Sequence, residues 1–158
     1  MVTKFFCHGS LYNEYFGINI HQIRSIGILQ NITKIPKTIS CVKGITNLRG
    51  NVIPVVDLRE RLSMESTSYT DQTRLVVVTI NDTDVGLIVD AANEVLDIQE
   101  EQIQPTPTVN GNSIEFLAGI ANLENRILIL LDIEKLLSSD VVIQLYKCTL
   151  KRKSMSRK

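Results

Sequence analysis

The sequence predicts an all-β fold made of two small barrels related by a pseudo-two-fold, and three observations predict it. Apolar residues come in short β-branched bursts separated by turn signals. Several bursts are apolar at consecutive positions, as in Val76-Val77-Val78 and Leu128-Ile129-Leu130-Leu131, so both faces of those strands must be covered, as packed sheets and barrels do. The chain also repeats itself. Gly44 to Leu62 aligns with Gly119 to Leu137 at a constant offset of 75, with Gly44/Gly119, Ile45/Ile120, Asn47/Asn122, Leu48/Leu123, Asp57/Asp132 and Leu62/Leu137 identical. Upstream, Phe16 to Ile26 resembles Val85 to Val95 at an offset of 69, with Gly17/Gly86 shared. A duplicated unit of about 70 residues accounts for both alignments.

Taken in order, the clearest strands are Tyr15 to Ile20, Val52 to Val56, Leu75 to Ile80, Val85 to Val89 and Arg126 to Leu131. Pro54 donates no ladder hydrogen bond, which predicts an edge or a kink in its strand. The shared Gly-Ile-x-Asn-Leu reads as a turn entering a strand. Short helices are predicted after Asp57 and Asp132, whose carboxylates read as N-caps rather than catalytic groups. Arg59-Glu60-Arg61 reads as a solvated helix face. A longer C-terminal helix is expected after Ser139-Asp140, where Val141, Val142, Leu145 and Tyr146 share a face. Ser63 to Gln72 is polar and reads as a loop. The expected organisation is one domain over 1–146, with a first barrel near 1–72, a second near 73–146 and terminal strands free to cross over. A basic tail, 147–158, is expected to be flexible.

The chain has 158 residues, 44% of them apolar, enough for a core and too many for disorder. Its formal charge is zero, but unevenly so. Residues 1–63 hold eight Lys/Arg against three Asp/Glu (+5), residues 64–146 three against fourteen (−11), and residues 147–158 six against none (+6). The three cysteines, Cys7, Cys41 and Cys148, are odd in number and widely spaced, and no apolar leader precedes the first strand. A reducing, cytoplasmic setting is expected. The longest uninterrupted apolar run, Ile127 to Leu131, is far short of the roughly 20 residues of a membrane span, so any membrane association should be indirect.

Reactive constellations are missing from the sequence. It has no phosphate-binding glycine loop, no CxxC or HExxH and no nucleophile elbow. His8 and His21 have no Cys or His at ligand spacing, and no His stands near Cys41 to activate it. No catalytic residue, metal or cofactor is predicted, and binding remains as the function.

The run from Val42 to Arg59, VKGITNLRGNVIPVVDLR, closely resembles the signature of the CheW family, coupling proteins of bacterial chemotaxis. The resemblance extends to Phe16-Gly17-Ile18, Ile35-Pro36, Val85 to Asp90 with Glu94-Val95-Leu96, and Arg126 to Leu137. It implies two five-stranded barrels around a hydrophobic interface and a non-catalytic scaffold. The implied partners are the cytoplasmic tip of a methyl-accepting chemoreceptor and the regulatory domain of the histidine kinase CheA. Carried over, the receptor-facing groove would include Ile23, Ser25, Gly44, Arg49 and Gly86, with the kinase-binding residues unassigned. Arg49 leads, because a guanidinium forks onto carboxylates and carbonyls in a way lysine cannot. Many family members carry Glu where this chain has Ser25. The alternative is a small β-barrel nucleic-acid module anchored by the 147–158 tail, which fits poorly with 5% aromatics and no Trp. An enzyme or small-molecule barrel has no substrate motif behind it.

Overall fold

Neighbouring residues of the apolar strands serve different cores, which is why these strands tolerate unbroken runs of Val, Ile and Leu. Val76 and Val78 enter one core while Val77 enters another. Leu87 and Val89 likewise part from Ile88, and Leu131 from Leu128 and Leu130. The structure, a computed structural model, describes residues 2–9, 15–36, 40–62, 64–65, 68–92, 94–105, 108–109, 112–113, 116–124 and 126–137. The expected C-terminal helix and the basic tail lie outside the described residues.

The elements in chain order are β1 (Val2–Gly9), β2 (Tyr15–Asn19), β3 (Ile23–Ile28), β4 (Val42–Leu48), β5 (Asn51–Asp57), α1 (Leu58–Arg61), β6 (Arg74–Ile80), β7 (Thr83–Val89) and β8 (Glu94–Gln99). They continue with β9 (Ile103–Gln104), β10 (Thr108–Val109), β11 (Asn112–Ser113), β12 (Leu117–Leu123), β13 (Arg126–Leu131) and α2 (Ile133–Leu136). Single 3₁₀ turns at Ile20–Gln22 and Glu100–Gln102 follow β2 and β8. The fold is all-β, with two main sheets ordered β8-β1-β2-β13-β12-β9 and β3-β6-β7-β5-β4 and a small β10-β11 ribbon. Among the described residues neither sheet closes into a barrel. In the five-stranded sheet β3 and β4 are opposite ends, and the segment after β3 reaches β4 through one bridge, Thr33 to Ile45.

The duplication is visible in the hydrogen-bond register. β5 runs parallel to β7 with Val55 opposite Gly86, and β13 runs parallel to β2 with Leu130 opposite Gly17, the same pair shifted by 75 and 69. Ile26 opposite Val76 in one sheet matches Val95 opposite Phe6 in the other. Even the register shift between Val42 and Gly44 recurs between Leu117 and Gly119. The copies are not separate, however, because each gives its first hairpin to the other. β1 and β2 sit with β8, β9, β12 and β13, while β6 and β7 sit with β3, β4 and β5. The five-stranded sheet is therefore drawn from residues 23–89.

Hairpin exchange also redistributes the charge. Residues 23–89 hold eight Lys/Arg and six Asp/Glu (+2), while residues 1–22 and 90–137 together hold three and ten (−7). The two sheets still differ in charge, but less steeply than the +5 and −11 of the linear halves.

Three cores result. The central one joins both sheets, with Phe16 and Ile18 of β2, Val76 and Val78 of β6, Leu87 of β7, Leu131 of β13 and the short-helix residues Leu58, Ile133 and Leu136. Each sheet also curls over its own core, Ile98, Ala121, Leu128 and Leu130 in one and Ile53, Val55, Leu75, Val77 and Ile88 in the other.

Two local expectations change. β5 is an interior strand, not an edge. Ile45 directs its N–H and C=O at Thr33, so the Ile45–Pro54 pair exchanges no hydrogen bonds and Pro54 points its nitrogen away from β4, toward β7. Pairing with β7 begins one residue later, at Val55, so the missing N–H costs no ladder bond. The second copy has Ile129 there, and its parallel pairing runs back to Leu128. Gly44 lies inside β4 rather than in a turn.

Asp57 and Asp132 cap their helices, accepting from the backbone N–H of Glu60 at 3.3 Å and of Lys135 at 3.2 Å. The Tyr69 hydroxyl donates to the other Asp57 oxygen at 2.8 Å. Burial and this acidic partner push the phenol well above its ordinary pKa. Asp132→Ala should cost about 1 kcal/mol in chemical denaturation. Asp57→Ala should cost more, because it also removes the hydrogen bond from Tyr69; equal losses would assign Asp57 a capping role alone.

Candidate functional site

β4 and β5 are joined by a two-residue turn, Arg49-Gly50, closed by the Leu48–Asn51 pair. Both turn residues have positive φ, 52° and 86°, a type I′ geometry that matches the twist of a hairpin. Asn47 steadies it by accepting the Gly50 N–H at 3.0 Å. The β6–β7 hairpin uses Asn81 and Asp82, at φ 49° and 63°, residues suited to this region. Arg49 is not so suited, and holding it there costs on the order of 1 kcal/mol. Its side chain is exposed and makes no hydrogen bond or ion pair among the described residues.

Arg49 stands at the rim of a groove of about 520 Å³ between β3 and the β4–β5 hairpin. Residues 24–28 of β3 form one wall, Asn47, Leu48, Arg49, Asn51 and Ile53 the other, and Leu75 and Val77 of β6 the floor. Arg24 pairs with Asp84 at 3.1 Å, and Asp84 also accepts from the Thr79 hydroxyl at 2.8 Å. The groove thus sets one free and one paired guanidinium over apolar residues that are themselves buried, and most of its open surface is polar. No group of three or more His, Cys, Asp or Glu that could hold a metal occurs among the described residues. Cys41 is buried, and burial raises its thiol pKa, so it is a packing residue rather than a thiolate.

Of the five residues carried over from the family signature, Ser25 and Arg49 line this groove together. Ile23 is half-buried against the central core. Gly86 is buried beneath the floor, where a Cβ would come within 2.8 Å of Leu75 Cδ1 and 3.5 Å of Ile53 Cδ1. Gly44 is buried at φ 139°, where a Cβ would fall 2.0 Å from the Thr33 carbonyl oxygen; its close approach is to its own chain. Linear reading missed Arg24, Gly27 and Asp84, although Gly27 is opposed by Leu96 in the aligned second copy, a contrast that could have marked it.

A second polar cluster surrounds α1, and there the expectation of a solvated face fails. Arg59 is 5% exposed. Its Nε donates to Asp90 Oδ2 at 2.7 Å and its Nη1 to the Glu65 carbonyl at 2.9 Å. One-turn helices packed on a core leave no fully solvated side, so Arg59 is drawn inward. Lys43 pairs with Glu60 at 2.6 Å, and Arg61 Nε donates to the Leu136 carbonyl at 2.7 Å, tying α1 to α2.

The family model that describes the CheW-like domain matches residues 9–141. The chain belongs to the CheW-like domain family. It is 39% identical over 132 residues to the chemotaxis protein CheW of Klebsiella aerogenes, covering 83% of this chain and 80% of that protein. It is 35% identical over 126 residues to the chemotaxis protein CheW of Bacillus subtilis, covering 79% and 81%. Among solved structures it is similar to the scaffolding protein TtCheW of Thermoanaerobacter tengcongensis, with a TM-score of 0.79, 34% identity, and 89% of this chain and 91% of that one covered. The matched residues include every described strand from β2 to β13 but only the last residue of β1, and 147–158 lies beyond the match.

Two substitutions test this geometry by chemical denaturation. Gly44→Ala should destabilise by about 2 kcal/mol or more, because a Cβ there meets the Thr33 carbonyl and a positive φ together. Asp90→Ala should cost about 2–3 kcal/mol by leaving the Arg59 charge buried without its partner. A loss below about 0.5 kcal/mol, the range of an ordinary surface substitution, would overturn either assignment.

Proposed function

We propose that this chain couples the cytoplasmic tip of a methyl-accepting chemoreceptor to the regulatory domain of the histidine kinase CheA, working in the cytoplasm as a non-catalytic adaptor. That it is a chemotaxis scaffold follows from its family and from its likeness to a solved CheW scaffold. The nucleic-acid alternative has no comparable support. No helix among the described residues is long and apolar enough to cross a membrane, so contact with the membrane would run through the receptor.

The observation that carries the receptor-facing reading is Arg49, an exposed guanidinium held in a strained turn at the rim of a groove with an apolar floor. Strain of this kind persists where surrounding structure enforces it and marks candidate functional positions. The second copy has Glu124 there, so the cation is a property of one sheet only. A scaffold of this type transmits a signal by contacting its partners differently in their two states, not by chemistry of its own.

Co-sedimentation of the chain with a receptor cytoplasmic fragment and the CheA regulatory domain should yield a ternary complex. Arg49→Glu should leave the melting curve unchanged and weaken receptor binding about tenfold or more, as loss of a central Arg contact does. Unchanged receptor binding would remove Arg49 from the site, and the absence of any ternary complex would overturn the coupling role.

A further inference from the structure

Arg59 holds two parts of the chain at once. Its Nε donates to Asp90 Oδ2 at 2.7 Å, where the chain leaves β7 for the six-stranded sheet, and its Nη1 donates to the Glu65 carbonyl at 2.9 Å. Glu65 belongs to the connection from α1 to β6, of which residues 64–65 and 68–73 are described. These residues lie back on α1 as a strap. The Met64 N–H donates to the Arg59 carbonyl at 2.8 Å, and the Tyr69 hydroxyl to Asp57 Oδ2 at 2.8 Å. Among the described strap residues only Met64 packs against a hydrophobic core, and Ser68 to Gln72 are exposed. Hydrogen bonds rather than burial hold the strap, as in segments that open locally.

Arg59 is 5% exposed, and its Nη2 has no hydrogen-bond partner among the described residues. The guanidinium is thus held by two side-chain contacts. Losing either leaves a buried charge on a single partner, which is far costlier than losing a neutral hydrogen bond. Breaking one contact therefore favours breaking the other. The second copy offers the contrast. Arg59 plus the offset of 75 is Glu134, and Asp90 minus the offset of 69 is His21, in the other crossing between the sheets. Both are exposed, and neither side chain bonds another described residue. Of two equivalent crossings, one is tied by a buried guanidinium and the other is not.

We infer that Arg59 is the lock of a conformational device: while its guanidinium holds Asp90 and the Glu65 carbonyl, the β7–β8 crossing and the strap form one unit, and when it lets go both open together. Tyr69, 45% exposed, is the part of this unit that solvent reaches, latched to the buried Asp57. A disturbance at the surface of the strap is carried through Arg59 to the junction of the two sheets. The crossing at Ile20–Gln22 opens independently.

Residue-resolved hydrogen exchange by NMR on the full chain tests the lock in both directions. Asp90→Asn keeps an acceptor but removes the charge; it should speed exchange of the Met64 and Thr70 amides, bonded to the Arg59 carbonyl and the Thr73 hydroxyl, about tenfold. Tyr69→Phe removes only the latch, and it should speed exchange of the Arg59 Nε–H, which Asp90 accepts, by about the same factor, as reciprocal coupling requires. The His21 amide, bonded to Asn19 Oδ1, should keep its wild-type rate in both variants. Acceleration confined to the element that carries the substitution would show that strap and crossing open separately and would overturn the lock. Equal acceleration at His21 would assign the effect to global stability and overturn it as well.

Discussion

Everything in this fold depends on two parallel strand pairings that cross between the duplicated halves. β5 of the first copy pairs with β7 of the second, and β13 of the second with β2 of the first, each in an interior position of its sheet. Neither copy could assemble its sheet alone. Removing β7 would leave β5 unpaired on one side and strip Leu87 and Val89 from the central core at once. The exchange therefore turns two similar units of about 70 residues, each too small to bury much surface, into one cooperative body.

A shared frame makes the differences between the copies interpretable. Wherever the register is identical, a substitution between equivalent positions has a local cause. Pro54 in place of Ile129 shortens a parallel ladder and costs nothing else. Asp57 and Asp132 are the same cap, but among the described residues only Asp57 also receives a tyrosine. Arg49 against Glu124 and Gly27 against Leu96 differ at the surface of a groove instead, and they change what that surface can hold. These last two contrasts are the ones that packing does not demand.

The sequence made the strands, the repeat and the caps legible because each leaves a short-range pattern: apolar bursts, a constant offset, and an aspartate before a one-turn helix. The exchange of hairpins was not legible, because β2 pairs equally well in principle with either copy's partner and only the finished sheet shows which. Arg59 was misread for a related reason. Its helical neighbours suggest solvent, and the buried pair with Asp90 depends on a residue 31 positions away. Within the site, Arg49 was legible through the family signature that carries it, and the second copy has Glu124 in its place. Gly44 and Gly86 were harder, since a glycine that lets a ligand approach and a glycine that lets Thr33 or Leu75 approach look the same in a linear string.

The chain passes between its two sheets at two described places, through Ile20–Gln22 after β2 and through residues 90–92 after β7. Asp90 stands in the second of these, held by a guanidinium that is itself buried, so the crossing is clamped rather than hinged. The groove floor is then mechanically close to the sheet junction. Leu75 and Val77 form that floor, while the alternate residues of the same strand, Val76 and Val78, lie in the core shared by both sheets. β6 cannot shift under a bound partner without repacking that core, and packed cores switch between discrete arrangements more readily than they deform continuously. A contact made at the groove is thereby tied, through one strand, to how the two halves of the scaffold sit against each other.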